Sequence, residues 1–528
     1  MKTLILVHLG RRLRVVRLGF TIWLAMLFVA VLLCGLREGS PAYAASNNLY
    51  VDGSIGNDIP ACGTLSTPCE TISYTLNSQA SDGDFILVSS GTYTENLTIT
   101  SITVTLRGGY TISGTQWLTD TGETVIDGGD ADRVFFIHGS NAILENLTIT
   151  GGDAPPAEPW GAGLWVTDGD VTIRSSNITG NGNLNNSMGI EVNDDFGPSH
   201  LTLESSTVSY NSGSGLHVYS GSGGASVEVR KSTFFSNTSG NGGGIAVERC
   251  SSVVIEDSYI LSNTATLGGG VWINDNCTAT IMNNQIVSNT AYEGGGGLYA
   301  LGVTMTLLSN DFLSNTSHND EGPAIWVNSS ALFAGRNLFA YNVSNASWGG
   351  GAVRLNLITT TLVNNIAVRN QAGGFQLTQS NVSFINNTIV SNTLNGIGFW
   401  DGSIVPLLRN NIVADNGLYG VAGDGILSLS EYNDLWNNLS GSYDVPTITL
   451  GTGNLALDPQ FEDAATDDYH LRAGSPCIDA ATSTGAPGVD FEGDLRPLDG
   501  DLDGTDDVDI GADEFEPYHI YLSLVLKN

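Results

Sequence analysis

Between about Leu147 and Asn416 the chain returns every 22–30 residues to the same three short phrases, and no other feature limits its fold so tightly. The first phrase is glycine followed by an apolar strand, as in GAGLWV ending at Val166, GGGIAV at Val247, GGGVWI at Ile273 and GPAIWV at Val327. The residue before each strand is Gly163, Gly189, Gly215, Gly244, Gly270, Gly297, Ala324, Gly351, Gly374 and Gly398. A second phrase is an apolar strand such as VTIR, VEVR or VVIE. The third is an apolar triplet closed by asparagine, and these asparagines fall at 181, 211, 237, 263, 289, 315, 342, 370, 392 and 416. Residues alternate within each strand: in GLWV, Leu164 and Val166 face one way and Trp165 the other.

Three strands per repeat with no helical segment between them exclude a βαβ solenoid, which needs a dozen helical residues per crossover. The constant period argues against an antiparallel sandwich. What remains is an all-β, right-handed parallel β-helix, in which each strand pairs with its equivalent one coil on, about 4.8 Å away. Equivalent residues then stack. Glycine fills tight bends, and the asparagine column predicts a side-chain ladder with a structural role. Arg174, Glu204, Arg230 and Glu256 end successive middle strands, so stacking alternates their charge. Cys250 and Cys277 lie six and seven residues after Gly244 and Gly270, which places them on adjacent coils and predicts a disulfide. Cys62 and Cys69 flank a short Gly/Pro segment and make a second candidate pair, leaving Cys477 over.

The N-terminus reads as an export signal over residues 1–44. Arg11, Arg12, Arg14 and Arg17 precede an uncharged apolar run from Leu18 to Leu36, and Ala42-Tyr43-Ala44 fits a cleavage site. An uncleaved membrane anchor is the competing reading. Without that segment the chain carries 13 basic and 53 acidic residues, and its only lysines are Lys231 and Lys527. Such a chain does not bind nucleic acid by neutralising phosphates. The expected location is extracellular or on the cell surface, where disulfides are permitted.

The ends differ from the repeats. Residues 45–130 are expected to hold an N-terminal cap and the first coils, with a helix over Glu70–Ala80, and 131–426 the repeat core. A small acidic module over 427–516 and a short apolar tail over 517–528 follow. LYVDGSIGND, PCETISYTLNSQA and GDFILVSSGTYTENLTI in 49–110 resemble the opening of secreted pectate-lyase-like β-helix proteins. GGGI at 242–245, GGGV at 268–271, FFSN ending at Asn237 and FLSN ending at Asn315 resemble the repeats of chlamydial polymorphic outer-membrane proteins. Too little chain follows Asn416 for that family's membrane barrel, so autotransport is not implied. GNLALDPQF, YHLRAGSPCIDA, DFEGDLRP and VDIGADEFE resemble the C-terminal choice-of-anchor module of bacterial surface proteins, which implies anchoring.

Candidate chemistry is sparse. Asp194-Asp195 is an acidic pair with His217 one coil on, the one weak candidate for glycoside hydrolysis; its bland reading is a surface loop pair. The outward column of the glycine strands runs Trp165, Glu191, His217, Ala246, Trp272, Tyr299 and Trp326. Trp165, Trp272, Tyr299 and Trp326 on that column suggest a strip that stacks on sugar rings, unless a loop covers it. Asp499, Asp501, Asp503 and Asp507 around Gly504 resemble a calcium loop, although Ile510 stands where an EF-hand has glutamate. The expectation is therefore a non-catalytic surface protein with an adhesion or carbohydrate-binding role, its partner a polysaccharide or cell-surface glycan. The alternative is a polysaccharide lyase or glycoside hydrolase.

Overall fold

The computed structural model describes residues 47–517 other than 114–115, 120–121, 183–186, 196, 222–223 and 347–349. The export segment and the tail from residue 518 on lie outside the described residues. Three long sheets of 18, 14 and 14 strands run the length of the molecule, with one short sheet of 4 beside them. Successive coils pair in parallel and in register: Leu164 on Ile190, Ile190 on Leu216, Leu216 on Ile245. Every inward column is apolar, and Leu164, Ile190, Leu216, Ile245 and Val271 are each fully buried.

Two corners per coil turn the chain sharply, and each uses one residue in the left-handed region. Lys231 (φ 49°) and Ser236 (φ 52°) do so in one coil, Asp257 (φ 50°) and Ser262 (φ 53°) in the next. The residue after each is a ladder rung. Asn289 shows the pattern: its side-chain amide donates to Asn315 Oδ1 (3.1 Å) and to the Ile260 carbonyl (2.8 Å). Its own oxygen accepts from the backbone and side-chain amides of Asn263. This ladder runs from Asn181 to Asn438. A second ladder lines the other corner, through Ser176, Ser206, Ser232 and Ser258 to Asn284 and on to Asn454. Rung separations are 26–28 residues from Asn237 to Asn370 and 22 or 24 from there to Asn438.

The glycine strands stack where a Cβ has no room: one on Gly270 would lie 2.6 Å from the Gly297 carbonyl oxygen. At the distal end the register shifts the alignment made from sequence. Ile325 pairs with Val353 and Phe375 with Ile397, so Ala352 and Gly396, not Gly351 and Gly398, continue the glycine column. Arg174, Glu204, Arg230 and Glu256 do stack, and Arg107 and Glu145 extend the alternation.

A helix over Ile72–Ser78 covers the first coil, with Thr71 Oγ1 accepting the Tyr74 N–H (3.2 Å) and Ile72 buried. Cys62 and Cys69 form a disulfide. Cys250 and Cys277 lie on adjacent coils but are free thiols, which corrects the predicted bond. The Cys250 N–H donates to Cys277 Sγ at 2.9 Å, the corner role that Ser330 Oγ fills for the Val303 N–H. The sulfur is thus engaged as a corner acceptor.

The coils run on past residue 426: Asp434–Trp436, Gly441–Asp444 and Thr447–Leu450 add a strand to each long sheet. The remaining chain folds back along the outer face of the sheet built from the asparagine-closed triplets. Ile366, Val368, Val390, Ile412 and Ala414 bury there against Tyr469, Leu471, Cys477, Ile510 and Ala512. Asp434 is fully buried at this seam, accepting from Leu457 N–H (3.1 Å) and Cys477 Sγ (3.4 Å). Burial pushes its carboxyl up to about 6. A folded-state value above the ordinary 3.8 gives stability that is full below that value and is lost as pH rises through about 6. Asp434→Asn is therefore expected to flatten the dependence and to gain about 2 kcal/mol at pH 8. Thermal melts of both proteins at pH 5 and 8 check this; an unchanged pH 8 melt would contradict it.

Candidate functional site

The outward face of the glycine-strand sheet carries two parallel columns of chemistry-bearing side chains. One runs Phe136, Trp165, Glu191, His217, Ala246, Trp272, Tyr299, Trp326 and Arg354. The other, two residues on, includes Thr167, Asn193, Tyr219, Glu248 and Asn274.

The middle of this face is covered. Between the asparagine rung and the next glycine strand, these coils add a two-residue strand: Thr264–Ala265, Thr290–Ala291, Thr316–Ser317 and Val343–Ser344. That short sheet and its loops roof the column. Trp272 and Tyr299 are each only 8% exposed and pack with Ala246, Leu267, Leu301 and Trp326. A Cβ on Gly294 would lie 2.0 Å from the Trp326 ring, so the loop backbone sits directly on that indole. Tyr299 and Trp326 meet edge to face (5.2 Å, 79°) rather than lying as a flat strip. Trp272, Tyr299 and Trp326 therefore do not form the exposed sugar-stacking strip expected from the sequence.

Trp165, three coils before the roof, is different. It lines an open cleft of about 260 Å³ with Trp160, Glu158, Asn193, Asp195 and Tyr219. Its indole N–H donates to Asn193 Oδ1 (3.2 Å), and the Arg133 guanidinium sits 4.5 Å from the ring centroid. Trp160 is 40% exposed at the cleft edge. Asp194 and Asp195 part company here. Asp194 is buried and accepts from Ser220 Oγ (2.8 Å) and the N–H groups of Gly221 (2.6 Å) and Gly224 (2.9 Å). Its carboxylate holds a loop, whereas Asp195 is exposed; both border the cleft.

A group not apparent from the sequence reaches the cleft through Glu191, which lines it. His217 Nδ1 is 2.7 Å from Glu191 Oε2, and its Nε2 is 3.6 Å from Glu248 Oε1. Burial opposes charge on His217, but Glu191 and Glu248 outweigh it and raise the imidazole to about 10. The His217 imidazole facing it holds the partly exposed Glu248 below its ordinary value. Glu191 and His217 were legible as column neighbours; Glu248 lies diagonally across the pair, in the second column.

The predicted calcium loop is rearranged. Oxygens of Asp499, Asp501 and Asp479 lie within 4.8 Å of one another. Asp503 instead accepts the Thr505 N–H, and Leu498 bridges to Asp507 through the backbone, so neither Asp503 nor Asp507 joins the cluster. Asp499 Oδ1 is buried with no hydrogen-bond partner among the described residues, which suits a hard cation there.

Three stacked parallel sheets, polar ladders at two corners and a chemistry-bearing outer face define a parallel β-helix protein. The chain belongs to the right handed beta helix region family, whose description matches residues 61–234, 132–312 and 292–438. Among solved structures, pectate lyase Pel9A aligns over 90% of this chain and 98% of its own at 15% identity, with a TM-score of 0.33. XylC in complex with xylose aligns over 88% and 98% at 10% identity, TM-score 0.37. The periplasmic alginate epimerase AlgG aligns over 71% and 77% at 13% identity, TM-score 0.27. None of the curated proteins matches the chain.

Proposed function

We propose that this is an exported or cell-surface protein that binds a glycan in the Trp165 cleft, with an adhesive rather than a catalytic role. The observation that carries this is the pairing of Trp160 and Trp165 with Asn193, Asp195 and Tyr219 in one open recess. Aromatic faces take the C–H side of a sugar ring, while amide, phenol and carboxylate groups take its hydroxyls. The carboxylates lining the recess favour a neutral glycan over a uronate polymer. Calcium, held by Asp479, Asp499 and Asp501, and surface anchoring through the C-terminal segment belong to the same proposal.

A glycan array probed with the purified protein tests it. Binding is expected, with affinity falling at least about tenfold in Trp165→Ala and unchanged in Trp272→Ala, whose ring is roofed. Equal binding by wild type and Trp165→Ala would refute the assignment. Repeating the array with calcium and with Asp499→Asn decides whether the ion supports binding. The second reading, hydrolysis or elimination, is favoured by the His217–Glu248 contact. It requires cleaved product from any bound glycan, lost in Glu248→Gln while binding persists.

A further inference from the structure

The C-terminal segment brings together three metal-ligating side chains from separate stretches of chain. His470 lies on the strand Asp468–Leu471, Glu492 follows 22 residues further on, and Asp513 a further 21. One ligand atom from each lies within 4.8 Å of the other two. They border a recess of about 440 Å³ whose other lining groups include Glu462, Asp494 and Glu516. Among the described residues lining that recess, His470 is the only one able to carry positive charge.

The second observation is the orientation of the imidazole. His470 Nδ1 lies 2.6 Å from Asp468 Oδ1, and Nε2 points towards Glu492, 3.4 Å from its Oε1. A carboxylate on one ring nitrogen fixes the tautomer and leaves the other nitrogen as a ligand, the arrangement that metal-bound histidines use. Asp513 is held as well: one of its oxygens accepts the Leu471 N–H at 2.7 Å. Two carboxylates and an oriented imidazole on an open recess form an N/O donor set with free positions, which suits a borderline divalent cation better than a hard one.

We propose that His470, Glu492 and Asp513 bind a zinc-like divalent cation, with Asp468 as the positioning residue. This site is separate from the Asp479, Asp499 and Asp501 cluster and from the glycan cleft. Equilibrium dialysis of the full chain against Zn²⁺ alone is the test. About one equivalent is expected to bind through these ligands, and to be lost in His470→Ala. Asp468→Asn is expected to weaken it by about tenfold to a hundredfold. His318→Ala, an exposed histidine elsewhere, should bind as wild type does. Co²⁺ as a second probe should show ligand-field bands that His470→Ala loses. His470 has a half-exposed side chain, so that variant should keep its circular dichroism. No Zn²⁺ uptake by the wild type, or undiminished uptake by a folded His470→Ala, would overturn the proposal.

Discussion

Replacing Asn289 with alanine is expected to destabilise the centre of the solenoid by about 4 kcal/mol. The side chain is fully buried and both gives and receives across three coils. Alanine fills less space, leaves the Asn263 backbone N–H without its acceptor, and reduces the Asn263 side-chain amide to the Phe234 carbonyl and Asn315 Oδ1 to the residue-289 backbone N–H. An unmet buried polar group costs about 1–3 kcal/mol, and the other lost bonds and the void add to it. Because each coil touches only its neighbours, the loss should be local before it is global. Urea unfolding should shift to lower denaturant, and amide exchange should accelerate first between residues 263 and 315. Asn345→Ala, on an exposed loop, should change stability by no more than about 0.5 kcal/mol. Equal midpoints for the two variants would refute the role assigned to the ladder.

The second large effect lies in the C-terminal segment. Arg496 has a side chain 0% exposed, 3.0 Å from Glu514, itself 1% exposed. The guanidinium also donates to the carbonyls of Gly511, Ala512 and Asp513 at 3.0–3.3 Å. Arg496→Met strands a buried carboxylate and three carbonyls at once, and removal of one partner of a buried pair costs about 3–5 kcal/mol. The coils do not depend on this pair. Limited proteolysis should therefore trim the chain after about residue 455 while the strand signal in circular dichroism persists. Arg496→Met/Glu514→Gln should recover part of the loss. Resistance equal to wild type would mean that the packing of Tyr469, Leu471, Ile510 and Ala512 alone holds the segment.

The architecture was readable because a parallel solenoid writes each layer into the sequence at a fixed distance. The rungs from Asn181 to Asn416 and the column from Trp165 to Trp326 both stand where the period puts them. The second ladder was overlooked because it begins as serine and changes to asparagine only at Asn284. The roof was illegible for a different reason: strands of two residues, such as Thr290–Ala291, carry no alternation to detect. Without it Trp272 and Tyr299 read as exposed. The docking of the C-terminal segment did leave a signal. The triplets IAV at 366–368, TIV at 388–390 and IVA at 412–414 are apolar, or nearly so, on the outward as well as the inward side. Asp479 could not be placed beside Asp499 and Asp501 from sequence, since only the fold closes that gap.

The rung separations have a further consequence. The roof spans coils of 26–28 residues, and beyond Asn370 the coils shorten to 22 or 24. A coil that short has no residues left over for a cover, and the face reopens at a recess of about 280 Å³ beside Gln376, Asn395 and Trp400. From the roof onward, coil length limits how much chain is left over to cover the face. What changes between the roofed and the shorter coils is the connection outside the sheets, while the buried columns run through both. The same core can thus be fitted with a new surface one coil at a time, with no change to what makes it fold.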